Sequence, residues 1–341
     1  MPETSNTGTR GASPGRALLK QGLSFVYRRL NIRQREMLAR LPGLLPLYHA
    51  VTRPWLASTG VEGGLALNRL HRFVLYMEAR WGGSHQLLFD AYEPATTFAI
   101  ERIVVAGDVV ADVGAHWGYF TLLAATLCGE TGRVIAFEPH PGNVSILTKN
   151  LQANRLHNVD VVAKAVSDRE GLAKLFLSRD SGGSSLNALP PGAELSPGRS
   201  DYLVVETVRL DGFFAPPRSK PMLVKMDIEG AELVALDGMR TLIRETADLA
   251  LIAEFNPLYF QGARGEGFLR RLTEHGFELA IIDDARFQIE AGGLEQVSRR
   301  ALNKGYIVNL LAARPRRIDQ VLFPGVVSGA PGRRAPKIVR L

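Results

Sequence analysis

Seven apolar runs alternate with helix-like stretches between Glu101 and Ala313: VVADVG, RVIAFEP, VDVVAKAV, MLVKMDIEG, LALIAEF, FELAIID and YIVNLLA. A strand without polar residues at every second position has to be buried on both faces, and strands separated by helices pair in parallel beneath those helices. The alternation predicts an α/β fold with a doubly wound, mostly parallel, seven-stranded Rossmann-like sheet whose last two strands are antiparallel. It assigns the core to residues 96–313. A chain of 341 residues, 46% of them hydrophobic, is long enough for one such core with additions at both ends.

Those additions hold the positive charge. Residues 1–45 carry eight Lys or Arg against two Glu, and residues 311–341 carry seven against one Asp, so the net +7 lies on the ends and the body between them is mildly acidic. Phosphate binding needs clustered Lys and Arg on the working surface, which disfavours a nucleic-acid partner for the body.

Residues 1–16 read as disordered. From Ala17 to about Leu45, apolar positions such as Leu19, Leu23, Val26 and Leu30 are interrupted by Arg28, Arg29, Arg33 and Arg40 at helical spacing. That pattern predicts an N-terminal helical extension: a basic amphipathic helix that packs on the body or makes peripheral contact with an anionic membrane through residues 17–45. Residues 17–95 form this extension and a lead-in of short strands and turns, RFVLYMEARWGG and HQLLFDAYEP. The Pro/Gly-rich, basic residues 314–341 read as a mobile tail.

The single cysteine, Cys128, excludes an internal disulfide and any multi-thiolate metal site, and favours a reducing, cytoplasmic setting. No run of about 18 uncharged apolar residues occurs, and the polar N-terminus lacks the apolar stretch of a secretory signal.

The strongest local signal is Val109-Val110-Ala111-Asp112-Val113-Gly114-Ala115-His116-Trp117-Gly118-Tyr119-Phe120, an apolar strand that enters a glycine turn and then an apolar helix. A cofactor is expected at the carboxyl end of that strand. Gly114 and Gly118 let backbone approach a ligand, and Asp112 offers an acceptor to a ligand ammonium. The spacing is not the G-x-G-x-x-G of dinucleotide binders, which disfavours a nicotinamide- or flavin-dependent oxidoreductase.

The next strand ends in Glu138-Pro139, where a carboxylate can accept hydrogen bonds from two ribose hydroxyls and the proline stops the ladder. After the third strand, the segment around Ala165 reaches the same edge and can contact an adenine.

DVGAHWGYF, FEPHPGNVSILTKNLQANRLHNVDVVAKAVSD, VRLDGFF and LVKMDIEGAELVALDGM together resemble the successive motifs of the FkbM family of methyltransferases, over about residues 96–313. DIEGAE after an apolar strand is the most distinctive piece. The resemblance implies a class I methyltransferase fold, S-adenosylmethionine as methyl donor, and a hydroxyl acceptor on a small molecule, sugar or glycan. It places cofactor contacts at Asp112, Gly114, Gly118 and Glu138, and the neighbouring Ala115, His116, Pro139, His140, Ala165 and Asp227 complete the expected cofactor set. His116 and Trp117 stand where the family more often has a smaller pair, and the first ninety residues have no counterpart in it.

Methyl transfer to a hydroxyl requires an oxygen aligned behind the methyl carbon and a group to take its proton. Asp227 is the first candidate for that base, with Glu229 two positions on and Glu254 at the end of the fifth strand; the Asp227–Glu229 pair could instead orient the cofactor or bind a divalent cation, and no metal is assigned. His116 and His140 are close enough to matter, with loop hydrogen bonding as the plainer reading. Glu232 reads as an acid favouring a helix N-terminus. The Gly/Ser-rich loop from Ser181 to Gly192 suits a lid. Asn256-Pro257-Leu258-Tyr259 is superficially similar to the clamp of base and amine methyltransferases, but it follows the fifth strand and not the fourth. A nucleic-acid methyltransferase and a catalytically inactive cofactor-binding partner module are the alternatives.

Overall fold

The computed structural model describes residues 64–68, 73–77, 87, 92–178, 183–187, 202–260, 263–303, 307–314, 318 and 338–340. The expectations for the N-terminus, a disordered segment at 1–16 and an amphipathic helix within 17–45, fall on residues outside these.

The first elements are a hairpin-like pair, β1 (Gly64–Asn68) and β2 (Phe73–Met77), followed by α1 (Pro94–Ile103). The core then runs β3 (Val109–Val113), α2 (Tyr119–Cys128), β4 (Arg133–Phe137), α3 (Pro141–Ala153) and β5 (Val159–Val162). Three strands, β6 (Ala165–Val166), β7 (Gly171–Phe176) and β8 (Tyr202–Val208), form a small separate sheet, with α4 (Leu210–Phe213) after them. The second half contains β9 (Leu223–Met226), α5 (Glu232–Asp237), α6 (Arg240–Glu245), β10 (Ala250–Phe255), α7 (Ala263–Glu274), β11 (Glu278–Asp283), β12 (Gln288–Gly292), α8 (Leu294–Asn303), β13 (Val308–Ala313) and β14 (Ile338–Arg340).

The large sheet has the order β14-β12-β11-β13-β10-β9-β3-β4-β5. Each of the seven predicted runs contributes a strand to it. The five from β5 to β10 are parallel, and β11 and β13 pair antiparallel as expected. Two further strands extend one edge: β12 pairs with β11, and β14 pairs with β12. Residues 314–341, expected as a mobile tail, include a strand at 338–340, whose backbone covers the edge that β12 would otherwise leave open.

Both faces of the sheet are sealed, as the unbroken apolar runs require. Along β3, Val110 enters the same core as Ile100, Leu122, Leu123 and Leu147 of α1, α2 and α3. Its neighbours Ala111 and Val113 enter the opposite core with Leu236, Leu242 and Phe268 of α5, α6 and α7. The two-residue period of a strand thus feeds two hydrophobic layers.

VDVVAKAV does not form one strand. It leaves the large sheet after Val162, and Ala165–Val166 pair instead with Thr207–Val208 of β8. The Lys164 N–H bonds the Val162 carbonyl, so the chain turns there and not at Ser167.

Two side-chain contacts fix the lead-in onto this core. Asp284, just past β11, accepts hydrogen bonds from the Ala95 and Thr96 N–H groups (2.7 and 3.0 Å) and from the Thr96 hydroxyl (2.7 Å). It caps α1 from 188 residues away, where Glu93 at the cap position makes no side-chain cap bond. Asn150 on α3 and Asn154 at its C-cap pair their amides with both backbone groups of Tyr76 and of Val74, at 2.6–3.0 Å. A helix edge here takes the place of a neighbouring strand.

Candidate active site

β3, β4 and β5 progress to one side of the sheet, and the chain then returns to place β9 on the other side of β3. The carboxyl ends of β3 and β9 therefore flank the point where the winding reverses, the usual place for a ligand crevice in an open α/β sheet. A crevice opens there, lined by Gly114, His116, Glu138, Pro139, Asn143, Lys164, Ala165, Val166, Ser184, Leu186, Asp227 and Ile228 among others.

The turn after β3 depends on its glycines. Gly114 has φ +82, and a Cβ on it would lie 1.9 Å from the Asp227 carbonyl oxygen. The glycine turn and the acidic loop after β9 thus touch backbone to backbone, a contact that a side chain would break. Gly118 has φ +93 and starts α2, and a Cβ there would meet Leu147 Cδ1 at 2.3 Å.

Glu138 is 5% exposed and faces this turn. One of its oxygens accepts from the His116 N–H (2.8 Å), and the other accepts from the His140 N–H (2.9 Å) and the Asn143 amide (3.2 Å). Burial outweighs these bonds and raises its carboxyl from 4.5 to about 7. His140 caps α3, accepting the Asn143 N–H at Nδ1, which is the plainer of its two readings. His116, with left-handed backbone at φ 50, stacks on Trp117 at 4.2 Å, and burial lowers its pKa to about 3.

Asp112 does not line the crevice. It is buried behind it, with Oδ2 accepting from the Thr121 hydroxyl at 2.5 Å and Oδ1 without a hydrogen-bond partner. Beside it in the sheet stands Lys225, its register partner in β9, also buried. The Lys225 ammonium is 3.1 Å from Asp227 Oδ2 and lies over the Phe120 ring at 4.6 Å. Sequence reasoning passed over Lys225, although a lysine inside a strand with no exposed face is itself a signal of a paired buried charge.

Asp227 follows β9 directly, and the strand is not regular beyond it. Glu229 is left-handed (φ 52) and Gly230 follows at φ 90. This sharp turn is held by three elements: Glu232 Oε1 accepts the Ile228 N–H (3.0 Å), Ser185 donates to the Glu229 carbonyl (2.7 Å), and Arg264 donates to the Gly230 carbonyl (3.1 Å). Glu232 starts α5, but it is fully buried and reaches back to the turn. The described part of the predicted lid, residues 183–187, is thus tied to the acidic loop.

The turn brings Asp227, Glu229 and Glu254 together: one ligand oxygen of each lies within 4.8 Å of the others. Burial would raise Asp227, but the Lys225 ammonium and a bond from Glu254 hold its carboxyl below the usual range. Glu254 is driven well up by burial and by the charges of Glu229 and Asp227. Next to Glu254 in the sheet, Asn309 donates to Glu93 (3.0 Å), a half-buried acid from the lead-in whose carboxyl rises to about 8 through desolvation and the nearby Asp284. No local pattern marks Glu93, because Asn309 and Asp284 are more than 180 residues away. Asn256 and Tyr259 follow β10; Asn256 bonds the Leu258 N–H, and the Tyr259 ring packs on Gly230.

Of the predicted cofactor positions, Gly114, His116, Glu138, Pro139, Ala165 and Asp227 meet at the crevice, with Asn143, Lys164 and Ser184 added to them. A sheet of this order with this crevice defines a class I, Rossmann-like methyltransferase fold. Residues 112–279 match the family model of the methyltransferase FkbM domain, and the chain carries a methyltransferase domain of that family, whose methyl donor is S-adenosylmethionine.

No curated protein is similar enough in sequence to be matched. Among solved structures the chain is similar to methyltransferase FkbM from Methylobacillus flagellatus KT (15% identity, TM-score 0.37, 68% of this chain and 55% of that one). It is also similar to precorrin-6y C5,15-methyltransferase from Geobacter metallireducens GS-15 (14%, 0.37, 64% and 86%). A third is Aeropyrum pernix fibrillarin with natively bound S-adenosyl-L-methionine (10%, 0.36, 62% and 68%). No helix among the described residues is long and apolar enough to cross a membrane.

Proposed function

We propose that this chain methylates a hydroxyl of a small molecule, sugar or glycan, in the cytoplasm, with S-adenosylmethionine bound along the crevice between β3, β4 and β6. The observation that carries this reading is the convergence of Glu138 and Asp227 on one crevice from two strand ends that the glycine turn joins. The buried, lone Cys128 favours the compartment.

The residues present fit the cofactor. Glu138 is positioned to take the ribose hydroxyls, Gly114 leaves backbone room beside it, and Ala165 with Val166 offers an apolar wall to the adenine. Asp112 stands buried behind the glycine turn with an unpartnered oxygen, which a water can link to an ammonium in the crevice. Bound S-adenosylmethionine supplies an electrophilic methyl group on a sulfonium.

The protein's part is alignment and proton handling. Asp227, ionised beside Lys225, would accept the acceptor hydroxyl's hydrogen bond and take its proton during methyl transfer. Glu254 and Glu229 border the same space and position the acceptor. Ser185, through its bond to the Glu229 carbonyl, couples the segment over the crevice to this loop.

Calorimetric titration with S-adenosylmethionine, followed by a panel of sugar and small-molecule alcohols with release of S-adenosylhomocysteine as readout, tests the proposal. Binding that Glu138→Ala weakens by roughly 1 to 3 kcal/mol, the cost of unpaired buried partners, with turnover on an alcohol that Asp227→Asn abolishes, supports it. Turnover on RNA in place of any alcohol overturns the acceptor class.

A further inference from the structure

The three carboxylates of the acidic loop point to a second ligand. Asp227 directly follows β9, Glu229 stands two residues on in left-handed backbone, and Glu254 comes from the adjacent strand β10, yet one ligand oxygen of each lies within 4.8 Å of the others. Three carboxyl groups this close cannot all ionise without a counter-charge among them, and the Lys225 ammonium reaches Asp227 Oδ2 at 3.1 Å.

A second observation is independent of the clustering. Glu254 is 5% exposed, and its Oε1 is sealed from solvent with no hydrogen-bond partner. A buried carboxylate oxygen without a donor is costly, and a cation satisfies it as a donor would. We propose that Asp227, Glu229 and Glu254 bind a divalent cation, of the hard, oxygen-seeking class of Mg2+ or Mn2+, at the acceptor side of the crevice.

The donor set is all oxygen, which selects hard cations over those that seek imidazole or thiolate. Oxygens on opposite sides of Mg2+ are about 4.2 Å apart, and of Ca2+ about 5 Å. The three side chains therefore need little movement to share one ion. An ion there would present its remaining positions to acceptor oxygens and would lower the pKa of a bound hydroxyl, work that the methyl-transfer reading leaves to Asp227. The site itself does not depend on that reading.

The test is a Mn2+ titration of the full-length chain, followed by the loss of the free-ion signal in electron paramagnetic resonance. The same samples are titrated with S-adenosylmethionine by calorimetry. One saturable Mn2+ per chain is expected, weakened by roughly ten-fold or more in each of Glu229→Gln and Glu254→Gln, since even an outer hydrogen-bond partner's loss costs a metal site that much. Glu278→Gln, at the exposed start of β11, should leave it unchanged. Absence of saturable Mn2+ binding by the wild type overturns the site, as does binding that both loop variants leave intact. Mn2+ binding without S-adenosylmethionine binding keeps the cation site and removes the cofactor reading; the reverse result removes the cation site alone.

Discussion

Glu138 and His116 are joined by a 2.8 Å hydrogen bond from the His116 N–H to the Glu138 carboxylate, so the acid at the end of β4 also holds the glycine turn after β3. The carboxyl rises from 4.5 to about 7 because burial outweighs its hydrogen bonds. Between those values the folded protein holds a proton that the unfolded chain has lost, so stability falls as pH rises through that window. Up to roughly 3 kcal/mol is at stake. Ribose hydroxyls favour the ionised form, so affinity for S-adenosylmethionine should climb from about pH 6 and level off above about pH 8. Calorimetry across this range, with Glu138→Gln expected to flatten the profile, checks both signs; a flat wild-type profile would place the ribose elsewhere.

Gly114 and Gly129 make a matched pair for a backbone experiment. Both have positive φ, but a Cβ at Gly114 strikes the Asp227 carbonyl while one at Gly129 meets nothing within 4 Å. Gly129→Ala should cost about 1–3 kcal/mol of strain and leave cofactor binding intact, and Gly114→Ala should cost more than that, with loss of cofactor binding. Urea unfolding and calorimetry read the two effects, and equal costs would mean that the close approach to Asp227 is not maintained.

Replacing Lys225 with methionine keeps the bulk and removes the charge that Asp227 and Asp112 share. The expected loss is about 3–5 kcal/mol, as when one partner of a buried ion pair is removed. A chemical-denaturation midpoint close to wild type would instead show that the carboxylates find another source of neutralisation.

Asp284→Ala removes three bonds to the start of α1 at once. A lost helix cap costs about 1–2 kcal/mol, and here the loss should be local. Amide hydrogen exchange should accelerate in α1 and leave β3 and β4 protected; uniform acceleration would argue against a separate tether.

The large sheet was legible because each strand is a continuous apolar run, and burial on two faces is the one arrangement that satisfies such runs. Glu138 was legible because Pro139 marks where its strand stops. What escaped were features whose cause lies far along the chain: Glu93 meets Asn309 and Asp284, and Lys225 is explained by Asp112 on a neighbouring strand. The break between Val162 and Ala165 was hidden by composition, since both halves are apolar and differ only in which sheet receives them. β14 escaped because its apolar residues follow a Pro/Gly-rich stretch that reads as tail.

Four residues of α-helix advance about 6 Å and two residues of strand about 6.7 Å, which is why Asn150 and Asn154 can serve Tyr76 and Val74 in step. The same helix, α3, begins at His140 and Asn143, which grip Glu138. Its thirteen residues span roughly 20 Å as a rigid rod. One tip of that lever carries the carboxylate set to receive the cofactor's ribose, and the other carries the strand that introduces the core, so a change in the lead-in is mechanically connected to the far end of the crevice.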